Sequence, residues 1–171
     1  VLQEFGAQLA VLDGGDCSGG IESAIVDCTA AVPVLLRPGL LSRERIEAAL
    51  GSRLGEPDAR SPRVSGSLRA HYAPQAKLRL MGTAALRDAL AMLGAPGLAL
   101  KLAVYSRSAM PAGRGIEYRR MPDDPAAAAH ELFAALRDFD AKRVQIIWVE
   151  QPPPSAPWDG VRDRLQRAAA A

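Results

Sequence analysis

From Lys77 onward, short apolar runs alternate with stretches of helical periodicity. Strands are predicted at residues 78–81, 98–105, 116–121 and 144–149, with helices at 84–93, 125–139 and 160–170 between and after them. The run Val144-Gln145-Ile146-Ile147-Trp148-Val149 is apolar and β-branched, as a strand covered on both faces would be. In the last helix Val161, Leu165 and Ala168 form one stripe, with Arg162, Arg164 and Arg167 assigned largely to the solvated remainder. Strands separated by crossover helices imply an α/β domain with a mainly parallel sheet, of Rossmann-like architecture, over residues 77–171.

The first half of the chain is patterned differently. Short strands are predicted at 9–12, 23–28 and 32–36, the first two joined by the glycine-rich turn Asp13-Gly14-Gly15-Asp16-Cys17-Ser18-Gly19-Gly20. A meander this small is marginal alone, so these residues are expected to be the remnant of a larger sheet. Ser42 is a good N-cap for a helix over 43–50, and Gly51 a good stop. Residues 51–76, rich in Gly, Pro, Ser and Arg, lose periodicity and are expected to be a linker. The resulting division is 1–50, 51–76 and 77–171.

Composition narrows the class. Hydrophobic residues make up 49% and charged residues 23%, which suits an ordinary globular chain able to bury a core. No stretch of about eighteen uncharged apolar residues occurs, and Val1-Leu2-Gln3-Glu4 lacks a secretory pattern, so a cytoplasmic protein is expected. Cys17 and Cys28 match no zinc-site spacing and read as reduced bystanders. The formal charge of +2 hides a split: residues 1–30 carry five acids and no Lys or Arg, leaving +7 on the rest. The basic residues there are interleaved with acids and aromatics are only 5%, so composition alone does not make a nucleic-acid binder.

Several residues invite chemical readings. The glycine-rich turn could offer backbone N–H groups to a phosphate, yet no Gly-Lys-Ser/Thr follows it and it opens no helix, so a tight turn between strands serves equally. Asp13 and Asp16 could bind a metal or cap backbone N–H groups. His71 has no partner nucleophile in any recognisable motif and His130 falls mid-helix. The segment Gln151-Pro152-Pro153-Pro154-Ser155-Ala156-Pro157 is a stiff spacer or a partner-binding loop.

Two longer motifs are more specific. Gly20-Ile21-Glu22-Ser23-Ala24-Ile25-Val26-Asp27, followed by Leu36-Arg37-Pro38-Gly39, resembles the end of the YrdC domain, where a Gly-x-Glu-Ser-Thr-x-Val-Asp strand leads to an Arg-Pro-Gly turn. Ser65-Gly66-Ser67-Leu68-Arg69-Ala70-His71-Tyr72-Ala73-Pro74 is similar to the linker ending in His-Tyr-Ala-Pro in the long, two-domain threonylcarbamoyl-AMP synthases of that family. The resemblance therefore points to the C-terminal portion of such a synthase. It implies a reaction in which L-threonine, bicarbonate or CO2, and ATP with Mg²⁺ give threonylcarbamoyl-AMP and pyrophosphate. The product would pass to tRNA threonylcarbamoyl-transfer proteins.

The family's roles carry over to three positions: Ser23 on threonine, Arg37 on ATP, and Tyr72 reaching back over the nucleotide. A hydroxyl can bond a carboxylate or amine, a guanidinium offers forked donors to phosphate, and a phenol can stack on adenine. Each also has a purely structural reading, as a strand serine, a turn charge and a linker anchor. Ala24 replaces the family's threonine, Ser65 and Ser67 stand where many relatives have Pro and Met, and the N-terminal basic and Ser-Asn motifs have no counterpart. Alone, the chain is expected to be inactive, with no catalytic residue of its own. The alternative is a non-catalytic module binding RNA or a protein of the tRNA-modification machinery, supported by the +7 balance. A hydrogenase-maturation relative sharing the YrdC domain is disfavoured by the His-Tyr-Ala-Pro linker.

Overall fold

A computed structural model describes residues 5–66, 73–93, 101–111 and 115–170. Two strands come first, β1 (Ile25–Asp27) and β2 (Val34–Arg37), then helix α1 (Arg43–Leu50). Then follow β3 (Lys77–Met81), α2 (Thr83–Met92), β4 (Leu102–Ser106), β5 (Glu117–Arg120), α3 (Pro125–Ala141), β6 (Ile146–Glu150) and α4 (Asp159–Ala169).

The second half is the α/β layer that the alternation of patterns implies. Its four strands lie in the order β3-β6-β4-β5, and every neighbouring pair is parallel. Because side chains alternate across a strand, each strand feeds two cores. Ala103, Tyr105, Ile147 and Val149 face the main core with Leu132 and Phe139 of α3 and Val161 and Leu165 of α4. Leu102 and Val104 face the other side, where Leu86 and Leu90 of α2 pack with Ile146 and Trp148. Coverage on both faces is why all five residues of β4 are buried and why the strands read as apolar runs.

Helix ends follow local chemistry. Ser42 accepts the Arg45 N–H at 3.4 Å, and Gly51 closes α1 in the left-handed region at φ 69°, its N–H on the Glu47 carbonyl at 2.9 Å. Asp124 caps α3 by accepting the Ala127 N–H at 2.8 Å, with Pro125 in the first turn. That helix runs two residues beyond the predicted end at 139, stopping where Arg143 turns left-handed at φ 56°.

The first half departs further from expectation. Residues 9–12 form no strand, and Leu12 is almost wholly exposed; among the described residues nothing pairs with them, and an unpaired strand has no ladder to hold it. The other two predicted strands are shorter than expected and form an antiparallel ribbon, with a register shift between Ile25 and Val26. The segment after α1 is tied back to this ribbon. Gly55 donates to the Pro33 carbonyl at 2.7 Å and accepts the Leu35 N–H at 3.3 Å, with Leu54 buried beside it. Just before β3 the Asp140 carboxylate accepts the N–H groups of Gln75 and Ala76.

The ribbon and the glycine-rich turn sit on the α/β layer. Ile21 is part of the main core. Gly20, at φ 69°, passes so near α3 that a Cβ there would lie 2.2 Å from the Cα of His130. No helix among the described residues is long and apolar enough to cross a membrane.

Candidate substrate-binding wall

Of the three residues singled out by resemblance, Ser23 and Arg37 are brought together, while Tyr72, with His71, lies outside the described residues. Arg37 closes β2 and is buried, at 6% exposure. Its Nε and Nη2 donate to the Ser23 carbonyl at 3.2 and 3.0 Å, and its Nη1 donates to the Ser65 carbonyl at 2.8 Å. One guanidinium thus joins the Glu-Ser segment, the end of β2 and Ser65. A guanidinium has five N–H groups, so two remain beyond these three bonds. Ser23 is exposed just before β1, its hydroxyl accessible while its carbonyl is engaged by Arg37.

The Arg-Pro-Gly turn is built for close approach. A Cβ at Gly39 would lie 2.1 Å from the Ala24 nitrogen and 2.4 Å from the Ser23 carbonyl carbon, so only glycine lets the turn cross the Glu-Ser segment here. On its other side Gly39 meets α4: a Cβ at Gly160 would sit 2.5 Å from the Gly39 oxygen and 2.7 Å from Ile21 Cδ1. Beside this crossing a mostly apolar cavity of ≈ 280 Å³ opens, lined among others by Leu40, Ser42, Arg45, Pro125 and Pro157.

Arg164 was assigned to a solvated helix face, and the structure corrects this: it is fully buried. Its Nε donates to the Glu22 carboxylate at 2.9 Å, Nη2 to the Glu22 carbonyl at 3.3 Å, and Nη1 to the Pro38 carbonyl and to Asp163 at 2.9 and 2.8 Å. The signal was present in the sequence. Position 164 lies three residues after Val161 and four before Ala168, within the apolar stripe. Arg162 is not free in solvent either: it donates to the carbonyls of Pro153 and Ser155 and pairs with Asp159, fastening the proline-rich spacer to α4. Asp13 accepts the Gly15 N–H at 2.9 Å, a turn role. His130 is exposed on α3, and Cys17 and Cys28 are exposed free thiols.

A second polar cluster lies at the C-terminal edge of the parallel sheet, where open α/β sheets commonly take ligands. Here it is closed by Glu150, which is fully buried at the end of β6. Its carboxylate accepts the hydroxyls of Thr83, Ser106 and Ser108 at 2.7 Å and the N–H groups of Arg107 and Ser108 at 2.7 and 2.8 Å. Burial alone would raise its pKa, but these bonds prevail and hold it down to about 2. Arg107 reaches from this cluster over the Trp158 ring, 5.6 Å from its centre. On the far face of β4, Tyr105 donates to Glu131 at 2.8 Å, and burial followed by that carboxylate pushes its phenol well above the ordinary range. Within these networks the Glu150 carboxylate and the Tyr105 hydroxyl are satisfied, while the buried Arg107 Nε has no hydrogen-bond partner.

Residues 41–170 match the family model described as threonylcarbamoyl-AMP synthase, C-terminal domain. The chain is 30% identical to the threonylcarbamoyl-AMP synthase of Bacillus subtilis, the match covering 93% of this chain and 48% of the relative. With that of Pyrococcus abyssi it shares 28% identity, over 99% of this chain and 52% of the relative. The crystal structure of P. abyssi Sua5 complexed with L-threonine superposes with a TM-score of 0.72 at 28% identity, over 92% of this chain and 48% of that one. The chain thus spans about half the length of the curated relatives it matches. With more than half of its residues inside the family model, the chain belongs to the threonylcarbamoyl-AMP synthase C-terminal domain family.

Proposed function

We propose that this chain supplies one wall and the lid of the active site of an L-threonylcarbamoyladenylate synthase. The observation that carries the reading is the junction of the Glu-Ser segment with the Arg-Pro-Gly turn, where the Arg37 guanidinium holds the Ser23 carbonyl and Gly39 crosses the Ser23–Ala24 peptide. On this reading residues 1–50 complete a YrdC-like domain, 51–76 form the linker, and 77–171 form a Rossmann-like domain that holds the other two in place. The P. abyssi relative solved with L-threonine supports threonine as a substrate.

In the proposed reaction the neutral amine of threonine attacks CO2, forming an N–C bond and losing a proton. A carbamate oxygen then attacks the α-phosphorus of ATP in line, and pyrophosphate leaves. Ser23 offers an exposed hydroxyl to the carboxylate or amine of threonine, Arg37 offers its two remaining N–H groups to the nucleotide, and Tyr72 covers it. Positioning and charge neutralisation would account for most of the rate. Mg²⁺ belongs to this reading as part of the MgATP substrate, held by the phosphates. The product serves tRNA threonylcarbamoyl transfer, a cytoplasmic process.

The test is calorimetric titration with MgATP and L-threonine, together with pyrophosphate release, on this chain and on the chain extended N-terminally to the length of its relatives. The extended protein should bind both substrates and release pyrophosphate only when threonine, bicarbonate and ATP are all present; this chain alone should release none. An extended protein that binds neither substrate would overturn the reading. Salt-sensitive tRNA binding by this chain without ATP would then favour an RNA-binding module.

A further inference from the structure

We propose that Arg164, on the last helix, is a positioning residue for the threonine-binding wall, and that through it the C-terminal domain sets threonine affinity. The inference rests on the synthase reading above and adds the device that holds the wall.

Arg164 is the largest fully buried side chain among the described residues, and what it grips is not its own sheet. Through Glu22 it holds both the carboxylate and the carbonyl immediately before Ser23, and through Pro38 it holds the carbonyl immediately after Arg37. The two flanks of the substrate motifs, far apart in sequence, are thus fixed to one rigid planar fork. Asp163 shares the guanidinium charge, and Arg167 pairs with Asp163 in turn, so the fork is itself held from behind. Gly160, one turn earlier on the same helix, lets the backbone of Gly39 settle against α4, and Ile21 packs into the core beside it.

None of these groups reaches the exposed Ser23 hydroxyl, so Arg164 acts through the backbone. Loosening it would let the Glu22–Ser23 peptide shift relative to the Arg-Pro-Gly turn. A change of that kind weakens ground-state and transition-state binding alike, raising KM with little change in kcat.

Arg164→Gln, Arg164→Lys and Glu22→Gln, made in the N-terminally extended protein, test this in steady-state assays with threonine varied at saturating ATP and bicarbonate. Arg164→Gln should raise the KM for threonine about tenfold with kcat within about twofold, Glu22→Gln should raise it less, and Arg164→Lys should recover part of the loss. A role in folding alone would lower kcat with the active fraction and leave KM unchanged, and that result would overturn the proposal. Hydrogen exchange on this chain gives a readout independent of activity. In Arg164→Gln the amides of Ile21 and Leu35, which donate to the Gly19 and Gly55 carbonyls, should exchange at least about tenfold faster while those of β4 and β6 keep their protection. Unchanged exchange at those two amides would refute the positioning role whatever the assays show. If the unmutated extended protein makes no pyrophosphate but the exchange result holds, the synthase reading fails and the clamp stands.

Discussion

At Glu150 burial and hydrogen bonding act on one carboxyl in opposite directions, and the bonds from Thr83, Ser106 and Ser108 prevail. A group whose folded pKa is depressed, here from 4.5 to about 2, contributes stability that is present above its unfolded value and lost as pH falls through the folded one. Melting temperature should therefore drop as pH falls from about 5 towards 2, and Glu150→Gln should flatten that dependence. At neutral pH the same variant should cost about 1–3 kcal/mol, because an amide cannot accept all five donors. Denaturant unfolding across that range checks both. Arg37 is a comparable case: Arg37→Met removes the charged donors to the Ser23 and Ser65 carbonyls, with an expected loss of about 1–3 kcal/mol by the same measurement. Residue types were legible in the sequence, but which of them would be buried was not. Glu150 sits one position past the apolar run assigned to its strand, and Arg164 lies inside a stripe whose charge argued for solvent.

Among the elements, those with strictly local causes were the most legible. Helix α1 has the predicted bounds because Ser42 and Gly51 act within one turn of its ends. The strands of the parallel sheet were recognisable from their apolar runs, though their order, with β6 inserted between β3 and β4, depends on crossovers that periodicity does not encode. Residues 9–12 are a short apolar run like a strand's and yet form none, since a strand depends on a partner that lies elsewhere. The crossing of α4 over the Arg-Pro-Gly turn tolerates little change. Gly160→Ala would drive a Cβ to 2.5 Å from a backbone oxygen that cannot swing aside, and should cost about 1–3 kcal/mol. Gly14→Ala, with open space around it and an ordinary φ, should leave stability within about 0.5 kcal/mol; thermal melts of the two variants side by side check the contrast.

On the scale of the molecule, the ribbon and the α/β layer are not beads on a string. Ile21 completes the main core, and Glu22 and Pro38 satisfy a buried arginine of the last helix. The family model begins at residue 41, after all three. A chain cut to that start would leave Arg164 with Asp163 but without Glu22 or Pro38 O, and should lose about 3 kcal/mol or more in denaturant unfolding. The resemblance motifs pointed to the Ser23–Arg37 junction from sequence because each is contiguous. The clamp that ties this junction to the α/β layer spans 142 positions, between Glu22 and Arg164, and only the folded chain brings its parts together.

The most direct test of the account is whether L-threonine settles on this wall. Hydrogen exchange of the N-terminally extended protein, with and without L-threonine, should show protection at the amides of residues 22–27, 35–37 and 39, and Ser23→Ala should abolish the difference while leaving the melting temperature unchanged. Threonine binding with no change at those amides, or with the same change in Ser23→Ala, would contradict it.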